Sequence, residues 1–152
     1  MTRRRPRRPR RVAERPPTPT PYAGRRLLLD THALLWWLSD DPRLSRAAYR
    51  AIADESATVF VSAASAWEAA TKVRLGKLSD PHGVTDALGS LVAAQGFREL
   101  LITLEHGRRA GRLPGPHKDP FDRMLIAQAQ TDGLAVVSND NVFDAYAVQR
   151  VW

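Results

Sequence analysis

Four acidic positions in this 152-residue chain carry residue types and spacings that could do chemistry. Asp30 closes the run Leu27-Leu28-Leu29 and precedes Thr31-His32. Glu68 follows Ser65-Ala66-Trp67, Asp122 lies in Asp119-Pro120-Phe121-Asp122, and Asp140 ends Ser138-Asn139-Asp140. Converging carboxylates without a matching set of Lys or Arg repel one another, and a divalent cation resolves the repulsion. All-oxygen ligands suit Mg²⁺ or Mn²⁺ rather than zinc. Such an ion can activate water and offset the charge of an in-line displacement at phosphorus.

Each acid also has a plainer reading. Asp30 or Thr31 can cap the helix that follows. Glu68 can pair with Lys72 one turn on. Asp119 can be an N-cap, with Pro120 at the first helical position and Asp122 at the third. Asp140 can simply serve a turn. Singly, each reads as structural. Their placement together changes the reading: Asp30 and Asp140 both fall just past the carboxyl ends of buried parallel strands, where open α/β sheets put their sites. Asp122 opens the helix leading to the second of those strands.

The elements that must position them follow from periodicity. Leu27–Leu29 reads as a short, fully buried strand, followed by a helix over Ala33–Leu38 and another over Leu44–Glu55. Thr58–Ser62 is a second strand, β-branched and short. Ala64–Leu75 is a helix with Ala66, Trp67, Ala70 and Val73 on its core face, ended by Gly76. A helix over Val84–Gln95, a strand over Glu99–Thr103 and a helix over Leu104–Leu113 come next. Pro114–Lys118 is a loop, Pro120–Thr131 a helix and Leu134–Ser138 a fourth strand. Phe143–Val151 is a helix or turn that leaves room for a fifth strand. Strands alternating with helices at these intervals predict an α/β fold with a parallel sheet of four or five strands covered on both faces.

Size allows one domain with one core. Without cysteine there is no disulfide, thiolate metal site or Cys nucleophile. No run reaches the ~18 apolar residues of a membrane span, and the N-terminal charges lack the apolar stretch of a secretory signal, so a cytoplasmic protein is expected. The net charge of +7 is unevenly placed: residues 1–26 carry +9 and residues 27–152 carry −2. Residues 1–25, rich in Arg and Pro, read as a disordered leader. It could bind RNA phosphates non-specifically or reflect a translation start placed too far upstream.

Several separated segments together resemble the PIN-domain family, and within it the VapC-type toxins of bacterial toxin–antitoxin pairs. They are Leu27–Trp36, Val61–Glu68, Lys72–Leu78, His117–Ala129 and Val137–Asp140, in order across residues 26–152. The resemblance implies a three-layer α/β/α sandwich and a metal-dependent endoribonuclease that cuts tRNA- or rRNA-class RNA to arrest growth. It implies Asp30, Glu68 and Asp122 as acids of a Mg²⁺ or Mn²⁺ site and Asp140 as a fourth. Asp119 is a rival or helper to Asp122, and Thr31 and Ser138 are polar neighbours of the metal. The implied partners are RNA, a small antitoxin and a second copy in a homodimer, with no membrane.

His32 and His117 read as packing or loop residues. Trp36, Trp37 and Trp67 read as core or dimer surface rather than a base-stacking set. An aspartyl-phosphate enzyme with Asp30 as nucleophile is a poorer fit, because the position two residues on is His32 rather than a second acid. The other alternative is a catalytically silent PIN scaffold that binds RNA or a protein.

Overall fold

The computed structural model describes residues 24–152; the expected leader, apart from its last two residues, lies outside them. Strand β1 (Arg26–Leu29) is the centre of a five-stranded, all-parallel sheet ordered β3-β2-β1-β4-β5. Its neighbours are β2 (Thr58–Ser62) and β4 (Ala135–Val137), in register Leu29↔Val61 and Leu29↔Val137. The edges are β3 (Arg98–Leu100) and β5 (Arg150–Val151), so the fifth strand is present.

Period-two alternation divides the core. Leu27 and Leu29, with Val59, Val61 and Val137, face the layer of α1 (Thr31–Leu38), α2 (Arg46–Ala53) and α4 (Leu88–Ala94). Leu28 and Val136 face the opposite way, against Ala64 of α3 (Ala63–Arg74) and Leu125, Ile126 and Ala129 of α6 (Pro120–Asp132). Helix α5 (Leu104–Arg112) packs on α6. The three leucines of β1 are buried on both faces, as the apolar run requires. The result is the expected α/β/α sandwich.

Three local expectations need correction. Trp67 is not core: it is 61% exposed and sets its ring edge-on to Phe121, centroids 4.8 Å apart. Buried Ala64, Ser65, Glu68 and Ala69 form the inner face of α3 instead, rotated from the apolar stripe. Helix α4 begins at Leu88 rather than Val84, because the Asp80 carboxylate takes the N–H groups of Val84 (2.7 Å) and Thr85 (3.0 Å) and holds residues 84–87 in turns. Strand β3 stops at Leu100, since Thr103 is taken as the N-cap of α5, its side chain accepting from His106 N–H at 3.2 Å.

A polar bridge ties the layers near the sheet's carboxyl edge. Gln128 is fully buried on α6, accepts from Ser62 Oγ at 2.6 Å and donates to Leu101 O at 3.3 Å.

Candidate active site

The chain passes outward from β1 through β2 to β3, then returns to the other side of β1 for β4 and β5. Between β1 and β4 the direction reverses, the position at which open parallel sheets form a crevice at the strand ends. Asp30 stands there. Its backbone N–H donates to Val137 O of β4 (3.0 Å), and its Oδ1 accepts from Ala33 N–H (2.7 Å), capping α1. The capping role foreseen for Asp30 is therefore real, and it does not exclude a second one. Only 6% of the residue is exposed. Burial pushes its carboxyl above the ordinary range, against the hydrogen bonds from Ser138 and Ala33 and the charge of His32; the charge of Glu68 pushes it further up.

Glu68 reaches the same region from the inner face of α3, 4% exposed, with Lys72 Nζ at 3.2 Å. The predicted i,i+4 pair is present, on a buried carboxylate rather than a solvated one. Asp122 occupies the first turn of α6, where Asp119 Oδ1 caps the helix by accepting from Phe121 N–H (2.9 Å) and Asp122 N–H (3.1 Å). Burial pushes the Asp122 carboxyl up to about 6, opposed by its hydrogen bond with His117; Asp119 and Glu68 raise it by charge repulsion. Glu68 thus acts on both Asp30 and Asp122, which places the three acids in one electrostatic neighbourhood.

Asp140 is set apart. It is exposed, its Oδ1 caps a 3₁₀ turn (Asn141–Tyr146) through Val142 N–H at 3.0 Å, and its charge acts on Arg150. Its link to the acids runs through Ser138, fully buried, whose Oγ accepts from Asp140 N–H (3.0 Å) and hydrogen-bonds Asp30. Thr31 is buried beside Asp30, and its Oγ1 has no hydrogen-bond partner.

Two residues near the acids were not singled out by the sequence for this role. His117, read as a loop residue, points Nε2 to Asp122 Oδ2 at 2.8 Å. Its loop is clamped by Arg123, whose guanidinium donates to the carbonyls of His117 (2.8 Å), Leu113 and Ala110 (3.3 Å). Ser65 is buried one turn before Glu68 with an unpartnered Oγ; its i,i+3 spacing from Glu68 was the available signal.

The donor set suits a hard divalent cation: carboxylate oxygens that repel one another, with orphaned hydroxyls on Thr31 and Ser65. Among the described residues no three His, Asp or Glu side chains converge tightly enough to wrap an ion directly.

Comparison with known proteins agrees with this architecture. A family profile described as PIN domain matches residues 27–149. Ribonuclease VapC22 of Mycobacterium tuberculosis is 35% identical over 117 residues, covering 75% of this chain and 86% of the relative. VapBC2 from Rickettsia felis, solved bound to a DNA fragment from its promoter, has the same fold with TM-score 0.62 at 13% identity, covering 82% of this chain and 96% of that one. M. tuberculosis VapC20, described as a sarcin–ricin loop cleaving toxin, gives TM-score 0.60 at 16% identity over 80% of this chain and 95% of that one.

Proposed function

This chain belongs to the PIN-domain family, and on that premise we propose that it is a metal-dependent endoribonuclease serving as the toxin of a toxin–antitoxin pair. The observation that carries this reading is the pair of buried carboxylates Asp30 and Glu68 at the carboxyl edge of the sheet beside the half-buried Asp122, with Glu68 acting on both aspartates. The identity to a ribonuclease supports the substrate class. The fold is shared with toxin–antitoxin complexes, and a small antitoxin is the proposed partner.

Asp30, Glu68 and Asp122 would hold a divalent cation, Mg²⁺ or Mn²⁺, with Asp140 and Asp119 in supporting positions and Thr31 and Ser138 as polar neighbours. When bound, such an ion supplies positive charge against the phosphoryl oxygens and acidifies a water. The chain's own residues do the positioning. Ala33 N–H and Ser138 fix the Asp30 carboxylate, Lys72 fixes Glu68, and His117 fixes Asp122. Protonation of Asp30 or Asp122 withdraws an anionic ligand, so ion loading must displace the protons that burial favours.

The test is cleavage of total bacterial RNA by wild-type protein and Asp30→Asn, each with Mg²⁺ and with EDTA. Discrete fragments that need both Asp30 and the metal are the expected result. Intact RNA with folded wild-type protein overturns the nuclease reading in favour of a silent PIN scaffold.

A further inference from the structure

The substrate of a ribonuclease is a polyanion, whereas the acids of this site are negative and residues 27–152 carry −2 overall. Apart from the Arg-rich residues 1–26, flanking phosphates are met by local cations beside the acids rather than by the charge of the body as a whole. One cleft holds Lys77, outside any ion pair among the described residues, beside Asp80 and beside Arg43, which is paired with Asp41. It has a volume of about 430 Å³ and starts at His32, two residues beyond Asp30 and close enough for its charge to act on that carboxylate.

The inner wall of the cleft is built from flat π surfaces. His32 and Trp36, one turn apart on α1, have ring centroids 5.6 Å apart at 36°. The Arg43 guanidinium lies over the Trp36 ring at 5.1 Å. Asp41 fixes its orientation by two contacts, Arg43 Nε to Oδ1 at 3.0 Å and Nη2 to Oδ2 at 2.7 Å. The outer wall is the turn after α3, folded around Asp80, which also accepts from Thr85 Oγ1 at 2.6 Å. This wall brings exposed Lys77 and His82 to the cleft, and neither forms an ion pair among the described residues.

Aromatic and guanidinium faces are the surfaces on which unstacked RNA bases lie, and a free lysine ammonium meets a phosphate as a point charge. The geometry points to this cleft as a nucleotide subsite for single-stranded RNA: the base of a residue flanking the scissile phosphate stacks on the His32–Trp36–Arg43 wall while Lys77 takes its phosphate. The inference rests on the ribonuclease reading, and the two can fail separately.

Lys77→Ala and Arg43→Lys divide the two halves of the subsite. Binding of a fluorescein-labelled single-stranded RNA is measured by anisotropy across a salt series in the inactive Asp30→Asn background. Steady-state cleavage is measured with Asp30 intact. Lys77→Ala is expected to weaken binding and to flatten the slope of log affinity against log salt by about 0.7, one phosphate contact. Arg43→Lys keeps the charge and loses the planar face, so the slope holds while affinity falls about tenfold. Both variants raise KM with kcat within about twofold, because neither residue touches the acids. If wild-type protein cleaves RNA in an Asp30-dependent way while both variants match it in affinity, slope and KM, the subsite is wrong and the nuclease stands. Absence of RNA binding in the Asp30→Asn background at low salt also overturns the subsite. Loss of Asp30-dependent cleavage in wild type itself overturns the function instead.

Discussion

His117 Nε2 lies 2.8 Å from Asp122 Oδ2, and the loop that presents it is held by Arg123, the residue after Asp122. One turn of α6 therefore carries both a proposed site carboxylate and the clamp for its partner. His117→Ala should lower the affinity for Mn²⁺ and the cleavage rate by about 10- to 100-fold. His117→Asn, which keeps a donor, should recover part of both. Calorimetric Mn²⁺ titration separates this from a fold defect, since a purely structural histidine would change the melting temperature and not the metal affinity.

Asp30→Asn should abolish cleavage and leave α1 in place, because asparagine caps helices about as well as aspartate. The variant should also melt higher than wild type at neutral pH in EDTA, since it removes a buried carboxylate whose charge is disfavoured by desolvation. Circular dichroism melts beside the RNA assay check both halves.

Asp122 contributes a pH dependence to the metal-free protein. Its folded carboxyl titrates at about 6 against an ordinary 3.8, so between those values the native state holds more protons than the unfolded chain. Stability falls as pH rises through that window, by about 1–3 kcal/mol, and the loss runs to completion about one unit above the folded value. Urea midpoints in EDTA from pH 4 to 7 should decline more steeply for wild type than for Asp122→Asn. Mn²⁺, binding the deprotonated acids, should raise the wild-type melting temperature more at pH 7 than at pH 5, and its binding should release protons at and below pH 6, where Asp122 is still largely protonated.

Gly115 has φ +90°, and a Cβ there would meet Tyr146 Oη at 2.8 Å. Gly115→Ala should cost about 1–3 kcal/mol and displace the loop that carries His117. The expected outcome is a lower melting temperature with a fall in Mn²⁺ affinity; a stability loss with unchanged metal binding would uncouple the loop from the site.

The sheet was readable because Leu27–Leu29 is short and wholly apolar and Thr58–Ser62 is short and β-branched, and strand–helix alternation then leaves few topologies. Asp119, Glu68 and Asp30 showed their capping and pairing roles in local spacing. What the sequence hid depends on tertiary rotation. Trp67 looks like core until α3 turns its small residues inward to admit Glu68. His117 looks like loop because its partner is chosen by a clamp from α6 onto α5 and the connecting loop, contacts that no periodicity encodes. The late start of α4 came from a single acid, Asp80, competing for backbone donors.

The order of the strands has a consequence for synthesis on the ribosome. Asp30 and Glu68 emerge early, but α6 and β4 emerge late, and β4 inserts beside β1, supplying the carbonyl that receives the Asp30 N–H. A nascent chain that stops short of Ser138 lacks the hydroxyl bound to Asp30, and one that stops short of Asp122 lacks a site carboxylate as well. Any nuclease activity is thus withheld until nearly the whole domain has been made.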